Sequence, residues 1–274
     1  MNIQEIVSIL VNAGIEEAEA NREVKMLIEH FCDYGAKDII MGRPLDYEKL
    51  KIVREKAELR AKTRQPIQYI IGKAYFMGDY YDVNPDVLIP RDETEIVVRH
   101  ALSLIERNRY KNILEIGSGS GCIACALQKY SGVDVTSVDI SEKALEVAEK
   151  NAKKLGVSVN FIMSDLFSNV SSDVKYDLII SNPPYIPVDT VLQKEVQFEP
   201  KIALFTPEKT GCMFYKKIIE QGINYIADNG SVVFELGVNE SQIVKSYFEQ
   251  CNYQNVVIEK DLAGIDRVIS AKRG

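Results

Sequence analysis

The chain has 274 residues, 46% hydrophobic and 27% charged, with a formal net charge of -7. This length allows one large domain or two moderate ones, either able to bury a core without staples. The acidic balance argues against a protein that holds long nucleic acids mainly by neutralising phosphates, so no stable nucleic-acid binding is expected.

In chain order, Ile3, Ile6, Val7 and Leu10 fall at helical spacing, as do Val24, Leu27, Ile28 and Phe31. Met1 to Leu10 carries Glu5 and no basic run, so it does not read as a signal peptide. Gly14, Gly35 and Gly42-Arg43-Pro44 punctuate these segments. Asp46 is placed to cap a further helix through Leu50, Val53, Ala57 and Leu59. Short amphipathic helices of this kind predict a small bundle over residues 1–72. The basic stretch Arg43, Lys49, Lys51, Arg54, Lys56, Arg60, Lys62 and Arg64 reads as a solvated helix face, with contact to an acidic partner or ribosomal RNA as the alternative.

Arg64-Gln65-Pro66 breaks the helical pattern, and the Tyr-, Ile- and Val-rich run that follows predicts a strand-rich linker over 73–90. Pro90 to Glu95 leads into a helix whose apolar contacts come from Ile96, Val97, Leu102, Leu104 and Ile105. From Lys111 the rhythm alternates. Strands are expected at 112–116, 134–138, 158–162, 177–180, 231–236, 255–258 and 267–270, with helices at 122–130 and 142–154 among the connections. Residues 91–274 therefore predict an α/β domain whose mainly parallel sheet is covered by helices on both faces. No apolar run approaches the roughly 20 residues that span a bilayer. Five scattered cysteines suit a reducing compartment, and a soluble cytoplasmic protein is expected.

The first strand of that domain ends in Glu115-Ile116-Gly117-Ser118-Gly119-Ser120-Gly121. Glycines let a chain turn tightly and let a ligand approach the backbone, and the carboxyl end of a central strand is where open α/β sheets bind ligands. The spacing is G-x-G-x-G with Cys122 following, so the dinucleotide pattern that packs a pyrophosphate is not met. S-adenosylmethionine has no phosphate and suits such a turn. Asp139, ending the second strand, is placed to accept from both ribose hydroxyls, being acceptor-only when ionised. Ser141 is at least as good a cap for the next helix. Asp165 is placed to accept from an adenine amino group, with Leu166 and Phe167 packing on the base.

After the strand at 177–180 comes Asn182-Pro183-Pro184-Tyr185. Two prolines fix their own φ and push the preceding residue into an extended conformation, which holds Asn182 rigidly at the strand end. Neither proline has an N–H, so the stretch presents acceptors. The Asn182 side-chain oxygen and the Pro183 carbonyl can each accept one N–H of a planar NH₂ group, with Tyr185 stacked on it. Such residues predict methyl transfer to an amide or amine nitrogen.

With these motifs placed, the chain resembles the HemK/PrmC family, the peptide chain release factor glutamine methyltransferases. The resemblance also rests on Pro66 to Gly72, Val87 to Glu95, Glu199-Pro200 with Ala203-Leu204, and Asp261 to Arg267. It implies a class I, Rossmann-like methyltransferase domain of seven strands, the last antiparallel, with an N-terminal helical domain that helps hold the substrate. It further implies methylation of the glutamine amide in the Gly-Gly-Gln loop of class-one release factors. Carried over by position, residues Gly117 to Gly121, Asp139 and Leu166 resemble cofactor contacts, and Asn182 to Tyr185 resemble substrate contacts. Asp92 stands where the family has proline, and 205–211 lacks its glycine-rich run. N-P-P-Y alone also suits an amino-methyltransferase acting on adenine or guanine.

Other features are assigned structural roles. Cys122 and Cys125 lack the further ligands of a zinc site and are expected to pack, so no metal is expected. His30 and His100 sit in amphipathic helices away from the motifs, and Glu93 and Glu95 suit a helix start. Glu235 ends a strand at the ligand edge without an assigned role.

Overall fold

A computed structural model describes residues 2–274; Met1 lies outside the described residues. They form two compact units, one comprising residues up to Lys73 together with Leu192–Phe198, the other Ala74–Val191 with Glu199–Gly274.

The smaller unit holds α1 (Ile3–Asn12), α2 (Glu17–Cys32), α3 (Ala36–Ile40), α4 (Tyr47–Thr63) and α5 (Ile67–Ile71). Asn2 and Glu5 close a capping box on α1, and Asp46 caps α4 by accepting from the Glu48 N–H. The apolar stripes meet in a core that includes Leu10, Leu27 and Val53. Each fully buried side chain of this size contributes about 1.5–3 kcal/mol.

The basic stretch is not uniformly solvated. Arg60 is 2% exposed. Its guanidinium donates to the Glu23 carboxylate at 2.8, 3.0 and 3.1 Å, and to Glu195 Oε1 at 3.0 Å. Arg64 reaches the same Glu195 oxygen at 2.5 Å. The reason is helical phase: Arg60 follows Val53 and Ala57 at seven and three residues, on the buried stripe of α4.

From Ala74 the larger unit holds a ribbon of β1 (Lys73–Phe76, all but its first residue) and β2 (Asp79–Asp82), turned at Met77-Gly78, where both φ values are positive. Next come α6 (Asp92–Asn108), β3 (Asn112–Ile116), α7 (Cys122–Ser131), β4 (Asp134–Asp139), α8 (Glu142–Leu155), β5 (Asn160–Met163) and β6 (Tyr176–Ser181). The short β7 (Ile186–Pro187), α9 (Lys201–Leu204) and β8 (Phe205–Thr206) follow, then α10 (Met213–Gly222), β9 (Ile226–Glu235), α11 (Ser241–Gln250), β10 (Tyr253–Lys260) and β11 (Asp266–Arg273). Asp92 takes the first helical position of α6, where an acid complements the dipole and a proline would fit as well.

The main sheet has seven strands in the order β10-β11-β9-β6-β3-β4-β5. β11 runs antiparallel to both neighbours, and the other pairs are parallel. Successive residues alternate between two cores. Ile113, Leu178 and Val233 join α6 and α7 on one face, while Leu114, Ile179 and Val232 join α10 and α11 on the other. This is the expected α/β architecture, a seven-stranded, mainly parallel sheet covered by helices on both faces, with an N-terminal helical part. β9 starts five residues earlier than expected: Asn229-Gly230 reads as a turn, yet the strand runs through it with a register shift against β6. A Cβ on Gly230 would come within 2.9 Å of the Asp177 carbonyl oxygen. Among the described residues, no helix is long and apolar enough to cross a membrane.

Candidate active site

The carboxyl ends of β3, β4 and β6 open onto a cavity of about 390 Å³. From the glycine-rich turn, Glu115, Gly117, Ser118, Gly119 and Ser120 line it; Asp139, Asp165, Leu166, Asn182, Pro183 and Pro184 line it too. These segments, distant in sequence, meet because β6, β3 and β4 are adjacent and parallel.

The turn is tied to β4. Gly117 and Ser118 both donate their N–H to the Val138 carbonyl, at 2.7 and 3.0 Å. Asp139 completes the tie: its carboxylate accepts from the Gly119 N–H and from the Ser141 N–H, each at 2.9 Å. Burial pushes the Asp139 carboxyl above the usual carboxylate range, and those backbone N–H groups oppose it. Ser141 is the cap of α8, accepting from Ala144. Asp139 is thus free of that duty and faces the cavity.

Gly117 and Gly119 have positive φ, and a Cβ on either would meet nothing within 4 Å. Gly121 differs. It lies outside the cavity lining, and a Cβ there would sit 3.0 Å from Ala148 Cβ and 3.1 Å from Ala148 Cα. The third glycine therefore serves close packing of the turn against α8.

Two further expected positions turn away. Leu166 has φ of 49°, a kink that leaves Leu166 on the cavity and sends Phe167 into the core, stacked on Tyr225 at 4.6 Å. Tyr185 is half-buried against the second core and is absent from the cavity lining, so it does not stack over the cavity in this structure. Its phenol is pushed up by burial, with Glu235 adding to the rise.

Glu115 is fully buried beneath the turn. Ser137 donates to its Oε2 at 2.5 Å, and its Oε1 has no hydrogen-bond partner. Burial lifts this carboxyl to about 8. The expected packing role of the cysteines fits their surroundings: Cys122 and Cys125 are buried in the first core, and burial pushes both thiols up.

Other wall residues were not legible from motifs. The segment 86–91 and Thr94 line the cavity, as do Met213 and Phe214 of α10. The Glu199 carboxylate, 4% exposed as a residue, accepts from the Ile89 N–H at 3.0 Å and pairs with the Arg91 guanidinium, bracing that wall. Thr94 donates to Glu235 Oε2 at 2.5 Å and lies 3.4 Å from Asn182 Nδ2. Arg91, Thr94 and Glu199 stand inside short distinctive segments of the sequence, but the pairing of Arg91 with Glu199 and of Thr94 with Glu235 is not legible there.

A family profile described as "Methyltransferase small domain" matches residues 92–197. A release factor glutamine methyltransferase of Fusobacterium nucleatum is 41% identical over 238 residues, covering 85% of this chain and 67% of the relative. One from Bacteroides thetaiotaomicron is 34% identical over 277 residues, covering 97% of this chain and 99% of the relative. Among solved structures, a Thermus thermophilus 16S rRNA N2 G1207 methyltransferase in complex with AdoMet and guanosine matches with a TM-score of 0.54. It is 14% identical and the match covers 74% of this chain and 50% of that one, a likeness of fold.

Proposed function

The chain belongs to the release factor glutamine methyltransferases, and from that membership we infer that it transfers a methyl group to a glutamine side-chain amide of a translation release factor. The acceptor is the glutamine of the Gly-Gly-Gln loop of class-one factors, and the enzyme works in the cytoplasm, where that substrate is found. The observation that carries the chemistry is the corner at the end of β6, where Asn182 and two prolines without N–H groups, Pro183 and Pro184, line the same cavity as the glycine turn.

The cavity fits S-adenosylmethionine on three features. Gly117 and Gly119 leave open the space that Cβ atoms would fill. Glu115 Oε1 and Ser120 Oγ are buried polar atoms without partners in the lining. Asp139 retains acceptor capacity toward hydroxyls after taking its two backbone N–H groups. When bound, this cofactor supplies an electrophilic methyl group on a sulfonium that carries its own leaving group. Gly117 to Ser120 and Asp139 would hold its methionyl and ribose parts, with Asp165 and Leu166 at the adenine.

The chain's own contribution to the chemistry is orientation. An amide nitrogen is a poor nucleophile because its lone pair is delocalised. Asn182 Oδ1 and the Pro183 carbonyl each accept one N–H of the substrate amide, which favours a pyramidal nitrogen with its lone pair aimed across the cavity. Fixing a reacting group in this way is worth several kcal/mol of the barrier, up to about 7–11 in the best cases. Pro183 and Pro184 hold the corner rigid at no cost in unpaired donors. The helical unit grips the body of the release factor.

The test offers radiolabelled S-adenosylmethionine with purified release factor, tRNA, rRNA and DNA separately. Label is expected on the release factor; label on nucleic acid alone would overturn the substrate. Asn182→Ala should abolish transfer while weakening cofactor binding modestly.

A further inference from the structure

Asn182 can act as an acceptor only if its amide is the right way round. An asparagine side chain has one oxygen and one NH₂ of nearly equal size, and nothing in its shape prevents the two from exchanging places. Its neighbours must decide. The neighbour within reach is Thr94 on the first turn of α6, whose Oγ1 lies 3.4 Å from Asn182 Nδ2. A hydroxyl has a single proton to give. Thr94 gives it to Glu235 Oε2 at 2.5 Å, from the end of β9. Thr94 and Glu235 are buried, 3% and 2% exposed, so this hydrogen bond is made out of bulk solvent.

The consequence is a one-way arrangement of donors. An ionised Glu235 accepts only, so it claims the Thr94 proton. Thr94 Oγ1 is left with lone pairs, and these can be met by an NH₂ but not by a carbonyl. We propose that Thr94 and Glu235 are positioning residues that set the polarity of the Asn182 amide, turning its NH₂ inward and its oxygen toward the methyl-accepting nitrogen. This rests on the assignment of Asn182 as the acceptor for the substrate amide.

Protonation of Glu235 would undo the arrangement. A neutral carboxyl can donate to Thr94, whose own proton is then free for Asn182 Oδ1, and the amide can turn over. The charged and titratable groups around Glu235 are Arg91 and Glu93 at the start of α6, Arg267 on β11, Tyr185 after β6, Cys122 on α7 and Tyr215 on α10, whose hydroxyl donates to the Glu235 carbonyl at 2.9 Å. Burial outweighs Thr94 and the arginines and lifts Glu235 to about 7. The sign follows: the oriented state holds above about pH 7 and is lost as the pH falls through it.

Steady-state kinetics on the full chain, with release factor and S-adenosylmethionine as substrates, test this. Thr94→Val removes the hydroxyl and keeps the shape; kcat should fall about 10- to 100-fold, with cofactor Kd within about threefold. Thr94→Ser restores the proton and should recover kcat to within about threefold. Glu235→Gln carries no group that titrates in this range, so whichever way round its own amide settles it should remove the acid limb near pH 7. Wild-type kcat in Thr94→Val, failure of serine to rescue, or an unchanged acid limb in Glu235→Gln would each overturn the proposal. Should Thr94→Val not fold, Thr94→Ser and the Glu235→Gln pH profile decide it alone. Asn182→Ala separates the two levels. Collapse there with full turnover in Thr94→Val sinks the orientation device only, whereas turnover in Asn182→Ala sinks the assignment of Asn182 itself.

Discussion

Arg60→Met isolates the buried ion cluster of the helical unit. The methionine keeps most of the apolar stem, so what is lost is the guanidinium and its contacts to Glu23 at 2.8, 3.0 and 3.1 Å. Glu195 keeps Arg64 at 2.5 Å and is not left bare. Glu23, 4% exposed, is left without its cation. Removing one partner of a buried pair costs about 3–5 kcal/mol. Burial already pushes Glu23 up against the pull of Arg60, so in the variant its carboxyl rises further and escapes by taking a proton. A raised folded pKa gives stability at low pH that is lost as pH rises through it. The defect should therefore be larger at pH 8 than at pH 5. Native-state hydrogen exchange of amides in 20–28 and 53–60 reads the loss within this unit, and 3–5 kcal/mol corresponds to an acceleration of about 10²- to 10³-fold or more. The pair Glu23→Leu/Arg60→Met should recover most of the protection, because an apolar replacement leaves no buried charge. Acceleration below tenfold in the single variant, or equal loss in the double, would refute this account.

In the other unit, Gly121→Ala combines a positive φ with a contact 3.1 Å from Ala148 Cα. It should cost about 2 kcal/mol or more and lower Tm by about 4–8 °C; an unchanged Tm by calorimetry would show that α8 can move away. Asp139→Asn keeps one acceptor for the two N–H groups of Gly119 and Ser141. Titration calorimetry should find S-adenosylmethionine binding weakened about 10- to 100-fold, and a change under threefold would remove Asp139 from the cofactor's contacts. Glu115 has its folded pKa raised to about 8 from 4.5. It is protonated in the native state across that window while the unfolded chain is not, so stability is present below the window and falls by about 1.4 kcal/mol per pH unit as pH rises through it. Glu115→Gln should flatten this slope in urea unfolding between pH 6 and pH 8; parallel curves would count against the buried acid.

Much of the larger unit was legible because its strands are buried on both faces. Such strands read as short apolar runs bounded by charge or glycine, which is why 112–116 and 177–180 fall within a residue or so of β3 and β6. β9 defeated that reading, since Asn229-Gly230 carries turn chemistry inside a strand. Gly121, Phe167 and Tyr185 lie off the cavity for a related reason. Each is one residue beyond a cavity residue, and a turn of one residue decides between cavity and core. The φ of 49° at Leu166 is a backbone state that side-chain patterning does not report.

The chemistry-bearing types and their order along the chain (a glycine turn, an acid after the second strand, an asparagine held by two prolines) were determined by sequence alone, because covalent geometry and strand periodicity act over a few residues. Pairing across long separations belonged to the tertiary structure. Arg60 with Glu23, Glu199 with Arg91, and Thr94 between Asn182 and Glu235 join residues 37 to 141 positions apart. A charge run or a lone threonine shows none of this, because burial changes the worth of a hydrogen bond or an ion pair, and burial is known only once the strands and helices have packed.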